Sequence, residues 1–264
     1  MRTPRLAGPV VAMVTVAVAV AGCDNSTATS PTPAASAPAP SIAATPSTGA
    51  ADAGAVSALS KATALLGTTS FALTATSGSG FKLTGAIDPV GSKANAQLTA
   101  SGPNAEINIK TLLIGNDLYA QVPGITKAGT WTHLDGSRLP AGVTIGLRPN
   151  QIDPVGTANL LGAATDVKST GGSSYAGTLD LTKAAGLAGL SQVTIDSYGT
   201  AASKVPFTTT LDDQGRLSKL TITVPQGAPI EVTYSGYGAP VDATAPAAAE
   251  ITEAPASFYN SLGS

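Results

Sequence analysis

The chain is short of cysteine, histidine, charge and aromatic side chains, and each shortage excludes a class of site. Its single cysteine, Cys23, leaves no partner for a disulfide within the chain and no thiolate cluster for a metal. The single histidine, His133, has only Asp135 nearby in sequence, and no Gly-x-Ser-x-Gly elbow accompanies it. A solvated or hydrogen-bonded strand histidine is therefore the better interpretation. No phosphate-binding or dinucleotide-binding glycine motif is present. The sequence therefore predicts no enzyme, no metal and no cofactor.

Charge and aromatic content limit the partners and the core. The net charge is −2, and only 11% of residues are charged, which excludes a nucleic-acid partner held by bulk electrostatics. Only 4% of residues are aromatic, while alanine, glycine and threonine are abundant. Small side chains fill volume poorly, so the domain must pack very closely or enclose space. Composition alone does not decide whether the abundance of small side chains reflects an internal cavity or the codon usage of a GC-rich genome.

The N-terminal segment has the layout of a secretory signal. Arg2 and Arg5 precede a largely apolar run, Leu6–Val20, which is followed by Ala-Gly-Cys. The run is shorter than the ~20 apolar residues of a membrane span and is interrupted near its start. The segment Val-Ala-Gly-Cys resembles the lipobox of bacterial lipoproteins, although an ordinary signal peptide with a chance cysteine is an alternative. The resemblance implies that residues 1–22 are a removed signal peptide.

The same resemblance implies that Cys23 receives an S-diacylglycerol and an N-acyl group such as palmitate. Two or more chains give stable membrane anchoring, at ~0.8 kcal/mol per buried methylene. Loss of two arginines with the signal leaves 12 basic residues against 16 acidic ones, a net charge of −4. We therefore expect a lipid-anchored protein on the extracytoplasmic face of the cell membrane, within the cell envelope.

Composition divides the remainder into three parts. Residues 23–52 are rich in Ser, Thr, Pro and Ala, and such a segment cannot bury enough surface to offset its ordering entropy, so we expect a disordered tether after the lipidated cysteine. Residues 53–250 carry the periodic patterns of a folded domain. Residues 251–264 form a C-terminal tail, in which Phe258, Tyr259 and Leu262 are placed to pack back as a helical turn.

Within the domain, apolar periodicity predicts one helix followed by many strands. A stripe of Val56, Leu59, Thr63 and Leu66 predicts a helix over about 53–66. Strict alternation then predicts a meander of short antiparallel strands with one apolar and one polar face. Further along, Asp153-Pro154 has the chemistry of a helix start, and a short helix is expected near 183–190. Strands are expected over 175–181, 205–211, 217–224 and 230–234.

These elements predict an α+β fold: a large curved antiparallel sheet of about ten strands, covered on its apolar face by helices. Several weak motifs follow one another over most of residues 53–250. They are Asp-Leu-Tyr at 117–119, Gly-Thr-Trp-Thr-His-Leu-Asp at 129–135, Asp-Pro at 153–154 with Leu-Leu at 160–161, Asp-Gln-Gly-Arg-Leu at 213–217 and Tyr-Ser-Gly-Tyr-Gly-Ala-Pro-Val at 234–241. In this order they resemble the LppX/LprG (LppX_LprAFG) family of actinobacterial lipoproteins. The resemblance implies a half-open barrel similar to LolA.

The resemblance also implies a function. Members of that family enclose acyl chains of cell-envelope lipids or glycolipids in a hydrophobic cavity and carry them outward from the plasma membrane, some with a membrane exporter as partner. The lining expected from the apolar strand phase is Phe71, Leu73, Phe81, Leu83, Leu98, Ile107, Ile109 and Leu118. The alternative is a structural or partner-binding envelope lipoprotein in which the same residues form a filled core.

Overall fold

A computed structural model describes residues 51–101, 106–124, 126–139, 147–148, 151–153, 155–183, 190, 192–257 and 259, with backbone alone at 147–148 and 151–152. These residues belong to one compact unit, Ser47–Ser264. Cys23, the signal peptide and nearly all of the expected tether lie outside the described residues.

Strands dominate the described chain. Their bounds are β1 Phe71–Ser77, β2 Phe81–Asp88, β3 Lys93–Ser101, β4 Glu106–Ile114, β5 Asp117–Gln121, β6 Trp131–Asp135, β7 Leu147–Arg148, β8 Gln151–Ile152, β9 Thr165–Gly171, β10 Ser174–Leu179, β11 Val205–Leu211, β12 Leu217–Ile222, β13 Ile230–Ser235 and β14 Ile251–Glu253. The helices are α1 Ala53–Leu65, α2 Thr157–Gly162 and α3 Gln192–Ser197. Alternation along β1 to β5 and in the last three long strands predicted these elements correctly.

Twelve strands form one open sheet in the order β14-β6-β5-β4-β3-β2-β1-β13-β12-β11-β10-β9, and β7 and β8 form a separate small hairpin. Every pairing in the large sheet is antiparallel except that of β14 with β6, which is parallel. The predicted antiparallel sheet is therefore a large mixed sheet with two free ends. Its β1–β13 pairing joins a meander built from the first six strands to one built from β9 to β13.

Strand register assigns each side chain to one of two faces. We call the inner face the one that carries Leu73, with Gly85, Ala96 and Thr111 paired in turn beside it. Tyr234 pairs with Leu73 from the other side, so it belongs to the inner face too. The opposite face, which carries the intervening residues, is the outer face.

The core lies against the inner face of the second meander. Val232, Leu220 and Ile222 are fully buried there, and Phe207 is 1% exposed. On the first meander, Ile87, Ala94 and Leu113 pair across β2, β3 and β4 and are also fully buried. Burial is thus complete at one end of these three strands.

Helix α1 begins where the sequence predicts, because the Asp52 carboxylate accepts a hydrogen bond from the Gly54 backbone N–H at 2.8 Å. Its buried stripe differs from the predicted one and consists of Ala55, Leu59 and Ala62, continuing to Leu66. Val56 is 44% exposed. The two alanines let the helix approach its neighbours α2 and β9 closely. The predicted stripe was chosen from larger side chains and therefore missed them.

Helix α2 starts later than the sequence indicates. The prediction of Asp153 as the N-cap is wrong: Gly156 is the N-cap, with a positive φ of 69°, and the helix begins at Thr157. The Asp153 carboxylate still accepts a hydrogen bond from the Ala158 backbone N–H at 2.9 Å. Asp153 therefore caps a backbone N–H of the first turn although it lies outside the helix.

The helix expected near 183–190 falls mostly outside the described residues, where only the turn Leu181–Lys183 precedes it.

Candidate functional site

The inner face changes from buried to accessible along β2, β3 and β4. At the far end of these strands from Ile87, apolar side chains pair across the sheet and remain partly exposed. Two cross-strand rows make up this region, which we call the open corner: Phe81, Ala100 and Ile107 in one row, and Leu83, Leu98 and Ile109 in the next. Five of the six are half-buried, and Ile107 is 45% exposed. The six apolar side chains of the open corner are therefore only partly covered.

All eight residues expected to line a cavity lie on the inner face. Phe71, Leu73 and Leu118 are at most 4% exposed and belong to the core. The remaining five are Phe81, Leu83, Leu98, Ile107 and Ile109, and all five belong to the open corner. Strand alternation therefore identified the face correctly, while the difference between core and accessible positions depends on packing from other elements.

Helix α2 meets the inner face at Tyr234. The hydroxyls of Thr157 and Tyr234 are hydrogen-bonded to each other, and Thr157 is fully buried. Leu160 and Leu161, on the same helix, are 2% and 6% exposed. Burial raises the pKa of the Tyr234 phenol far above its usual value, so the group stays neutral. The contact holds the start of α2 against Tyr234, whose partner on β1 is Leu73.

The outer face carries a groove that the sequence did not predict. This groove of about 530 Å³ crosses β1 to β4 and ends at Trp131 on β6. Its floor combines small residues with Thr74, Thr84, Asn95, Gln97 and Lys110. In the sequence, these residues are the polar members of the alternating strands. That pattern shows only that they face away from the core. Trp131 is half-buried at the end of this groove.

His133 lies on β6 with a carboxylate on each ring nitrogen. Its Nε2 is 2.9 Å from Asp117 Oδ1, and its Nδ1 is 2.8 Å from Glu253 Oε2 on β14. Burial alone lowers the pKa of His133, but the hydrogen bonds to Asp117 and Glu253 outweigh it and raise the pKa. The sequence interpretation of a hydrogen-bonded strand histidine is confirmed. The His133 side chain therefore links β5, β6 and β14.

Two other carboxylates have local roles. Asp135 Oδ1 accepts from the backbone N–H and the hydroxyl of Ser137, at 2.9 and 2.6 Å. Asp212 accepts from the backbone N–H groups of Gln214 and Arg216, which closes the predicted turn between β11 and β12. The described part of the chain holds no cluster of His, Cys, Asp and Glu suited to a metal ion. It also has no helix with the length and apolarity to cross a membrane.

Comparison with curated proteins finds no match. The sequence profile of the LppX_LprAFG lipoprotein family matches residues 82–243, which include β2 to β13 and therefore most of the open corner and the groove. The match covers more than half of the chain and agrees with the motif order described above. This chain belongs to the LppX_LprAFG lipoprotein family.

Proposed function

We propose that the protein is a lipid carrier of the cell envelope, which binds acyl chains of lipids or glycolipids against the inner face and moves them outward from the plasma membrane. The observation that carries the proposal is the open corner. Its six apolar residues share one face and stay accessible, although the same strands are fully buried at their other end. Membership of a lipoprotein family supports it.

The physical basis of such binding is exclusion of water from the acyl chain. Each methylene transferred from water to an apolar surface gains ~0.8 kcal/mol, so a chain of a dozen or more carbons gains on the order of 10 kcal/mol before ordering costs. The open corner continues without a break into the buried residues Leu73 and Ile87 on the same face. An acyl chain laid along β2 and β3 would therefore extend an existing apolar core.

The helices supply a cover in this proposal. Helix α2 is fixed over the inner face by the Thr157–Tyr234 hydrogen bond, and α1 packs against α2 and β9. A curved sheet with helices along one side makes a half-open barrel, in which the open corner is the entrance. Movement of α1 and α2 relative to the sheet would then change the size of the space between them.

The anchor belongs to the same proposal. Acylated Cys23 would hold the protein on the extracytoplasmic face of the cell membrane, and residues 23–52 would act as the tether. The domain over 53–250 would then reach lipids in the membrane and deliver them to a membrane exporter or an acceptor further out. The tail of residues 251–264 contributes β14 to the sheet.

Native mass spectrometry of a fragment with residues 47–264, the compact unit, tests the proposal. The fragment is secreted by a bacterial host, so that it meets envelope lipids, and is purified without detergent. It lacks Cys23, so any acyl species found is bound by the domain. We expect a lipid adduct that Leu98→Asp reduces at least tenfold, because a carboxylate in the open corner disfavours an acyl chain. Glu106→Asp, an exposed change on β4 that keeps the charge, is the control.

A domain that carries no lipid, and takes up no fluorescent fatty acid when titrated, would instead be a structural or partner-binding lipoprotein.

A further inference from the structure

We infer that the outer-face groove is a carbohydrate-binding site, separate from the acyl-binding face. The groove lies on the opposite side of the sheet from the open corner, and nothing in the proposed lipid carriage uses it. The outer-face residues of its lining supply one indole, one ammonium group, two carboxamides and two hydroxyls over a volume of about 530 Å³. That mixture suits a ligand with many hydroxyl groups and a partly apolar ring face.

The polar side chains of the groove form one straight row across the sheet. Strand pairing places Lys110 beside Gln97, Gln97 beside Thr84, and Thr84 beside Thr74. Neighbouring strands lie ~4.8 Å apart, so this row extends roughly 14 Å. Gln121 on β5 pairs with Lys110 and continues the row towards β6. Regular spacing of donors and acceptors over this length fits a short oligosaccharide.

Hydrogen-bonding capacity remains available in this row. Gln97 uses its Nε2 to donate to Asn108 Oδ1 at 3.0 Å, which orients its own Oε1 as an acceptor. Within the part of the chain that the structure describes, the Lys110 ammonium and the Trp131 indole N–H have no hydrogen-bond or ion-pair partner. Neither donor atom is buried, so each can donate to a ligand hydroxyl.

The lining disfavours other ligand classes. An added peptide strand needs a free sheet edge, but β1 to β4 are each paired on both sides. An acyl chain would bury hydroxyl, amide and ammonium groups without giving them hydrogen bonds. A nucleic acid needs several cations, and Lys110 is the one cationic residue in this lining. A sugar satisfies the amides and hydroxyls and can place a ring face on Trp131.

The C-terminal segment borders this site. Asn95, which also lines the groove, donates from Nδ2 to the carbonyl oxygen of Asp242 at 2.9 Å, and its Oδ1 accepts from the Ala86 backbone N–H at 3.2 Å. The segment after β13 is therefore attached to the outer face beside the row. Asn95 is committed to this attachment, so the row from Lys110 to Thr74 carries the recognition.

The test uses the full chain and acyl-free oligosaccharides. An array of neutral hexopyranose and pentofuranose oligosaccharides is screened first. The best binder, or maltohexaose if none stands out, is then titrated while tryptophan fluorescence is followed, since Trp131 is the only tryptophan in the chain. We expect a saturable shift in the emission. Lys110→Ala should weaken binding at least fivefold, and Gln97→Ala should do the same.

Lys82→Ala is the matched control, because Lys82 is an exposed lysine on the same face of β2 but outside the groove. Its affinity should stay within twofold of the parent. Trp131→Phe, followed by calorimetry, keeps a ring and should retain weakened binding, whereas Trp131→Ala should abolish it. Absence of binding to every oligosaccharide at millimolar concentration, or equal binding by the parent and Lys110→Ala, would overturn the inference.

Fatty-acid uptake measured on the same variants keeps the two proposals apart. We expect Lys110→Ala to take up fatty acid like the parent. A parent that binds oligosaccharide but no lipid would contradict the proposed lipid carriage alone.

Discussion

At the scale of the single residue, Ala94 and Ala96 show how one strand serves two purposes. Both lie on the inner face of β3, two positions apart. Ala94 is fully buried between Ile87 and Leu113, whereas Ala96 is half-buried beside Gly85 and Thr111. The same small side chain therefore fills a close-packed site in one case and lies next to accessible space in the other.

This difference predicts opposite results for one substitution. Ala96→Phe should reduce fatty-acid uptake severalfold and change the free energy of unfolding by less than ~1 kcal/mol, because the ring projects towards accessible space. Ala94→Phe should cost ~1–3 kcal/mol or more, because it overpacks a closed site. Chemical denaturation and a fluorescent-lipid titration on both variants measure the two effects. Equal destabilisation by both would indicate a filled core at Ala96.

Gly85 gives a second prediction at this scale. A Cβ built on Gly85 would lie 2.9 Å from the Asn95 backbone oxygen and 3.5 Å from the Ala96 Cβ. Because the first neighbour is backbone, β2 and β3 would have to separate to make room. Gly85→Ala should therefore destabilise the domain by about 1 kcal/mol or more, against the small gain expected for glycine replacement in an unstrained strand. Thermal unfolding compared with Gly162→Ala measures this, since Gly162 has open space around it.

At the scale of the element, β14 is held by contacts that differ in chemistry. Its backbone pairs with β6 from Trp131 to His133, and the Ala254 N–H donates to the His133 carbonyl oxygen at 2.9 Å. Beyond it, the Tyr259 hydroxyl accepts from the Asp135 N–H at 2.8 Å, and the Arg138 guanidinium lies 4.2 Å from the Tyr259 ring centroid. The ion pair of His133 with Glu253 is the contact that depends on pH.

The raised pKa of His133 sets the direction of that dependence. The native state holds the proton more tightly than the unfolded chain, so the stabilisation is complete below the unfolded value near 6.5 and is lost as pH rises through the higher native value. Hydrogen exchange of β14 amides, corrected for the intrinsic rate, should therefore show less protection at about pH 9 than at about pH 5.5. In His133→Asn this difference should disappear. The effect is modest, because Glu253 is 74% exposed.

A parent with protection independent of pH, or a His133→Asn variant with unchanged pH dependence, would contradict this role. Asp117 faces His133 from β5, and Tyr119 stacks at 5.1 Å between ring centroids. Burial first, and then Asp117 and Glu253, raise the pKa of Tyr119, so the phenol stays neutral in this range.

The elements differ in how far the sequence determined them. In β2 and β3 the apolar and polar residues alternate strictly, so pattern alone gave the strand, its face and its approximate ends. By contrast, β14 has three residues with no pattern of their own, and it exists because β6 offers an unpaired edge. The N-cap of α2 is Gly156, which has a left-handed backbone conformation. The prediction chose Asp153 instead, because aspartate is a preferred N-cap residue.

The candidate sites divide in the same way. The apolar face could be found because it repeats every second residue, and all eight expected residues lie on it. Which of them are accessible depends on where α2 and its neighbours pack, and a strand pattern holds no information on that. The groove was missed because its row of polar residues takes one residue from each of four successive strands, and only the register aligns them.

At the scale of the whole molecule, the proposed anchor makes a prediction that is independent of the fold. Cys23→Ala should stop incorporation of labelled fatty acid and release the protein from the membrane fraction or leave its signal uncleaved. The reason is that, in the proposed anchor, the Cys23 thiol is the acceptor of the diacylglycerol. Metabolic labelling followed by detergent partitioning measures both effects. A variant that keeps its label and still partitions into detergent would contradict the lipobox interpretation.

The β1–β13 pairing has a consequence for how the chain reaches its structure. Ala72 pairs with Ser235, so the centre of the sheet joins residues from opposite ends of the described chain. Closing so long a loop is slow, and contacts of this kind lower folding rates. Until β13 arrives, the inner side of β1 has no neighbour on that edge, and Phe71 and Leu73 lack the cover of Tyr234. A folding chain would therefore expose this apolar surface until β13 pairs with β1, and its yield should depend on what protects that surface from aggregation.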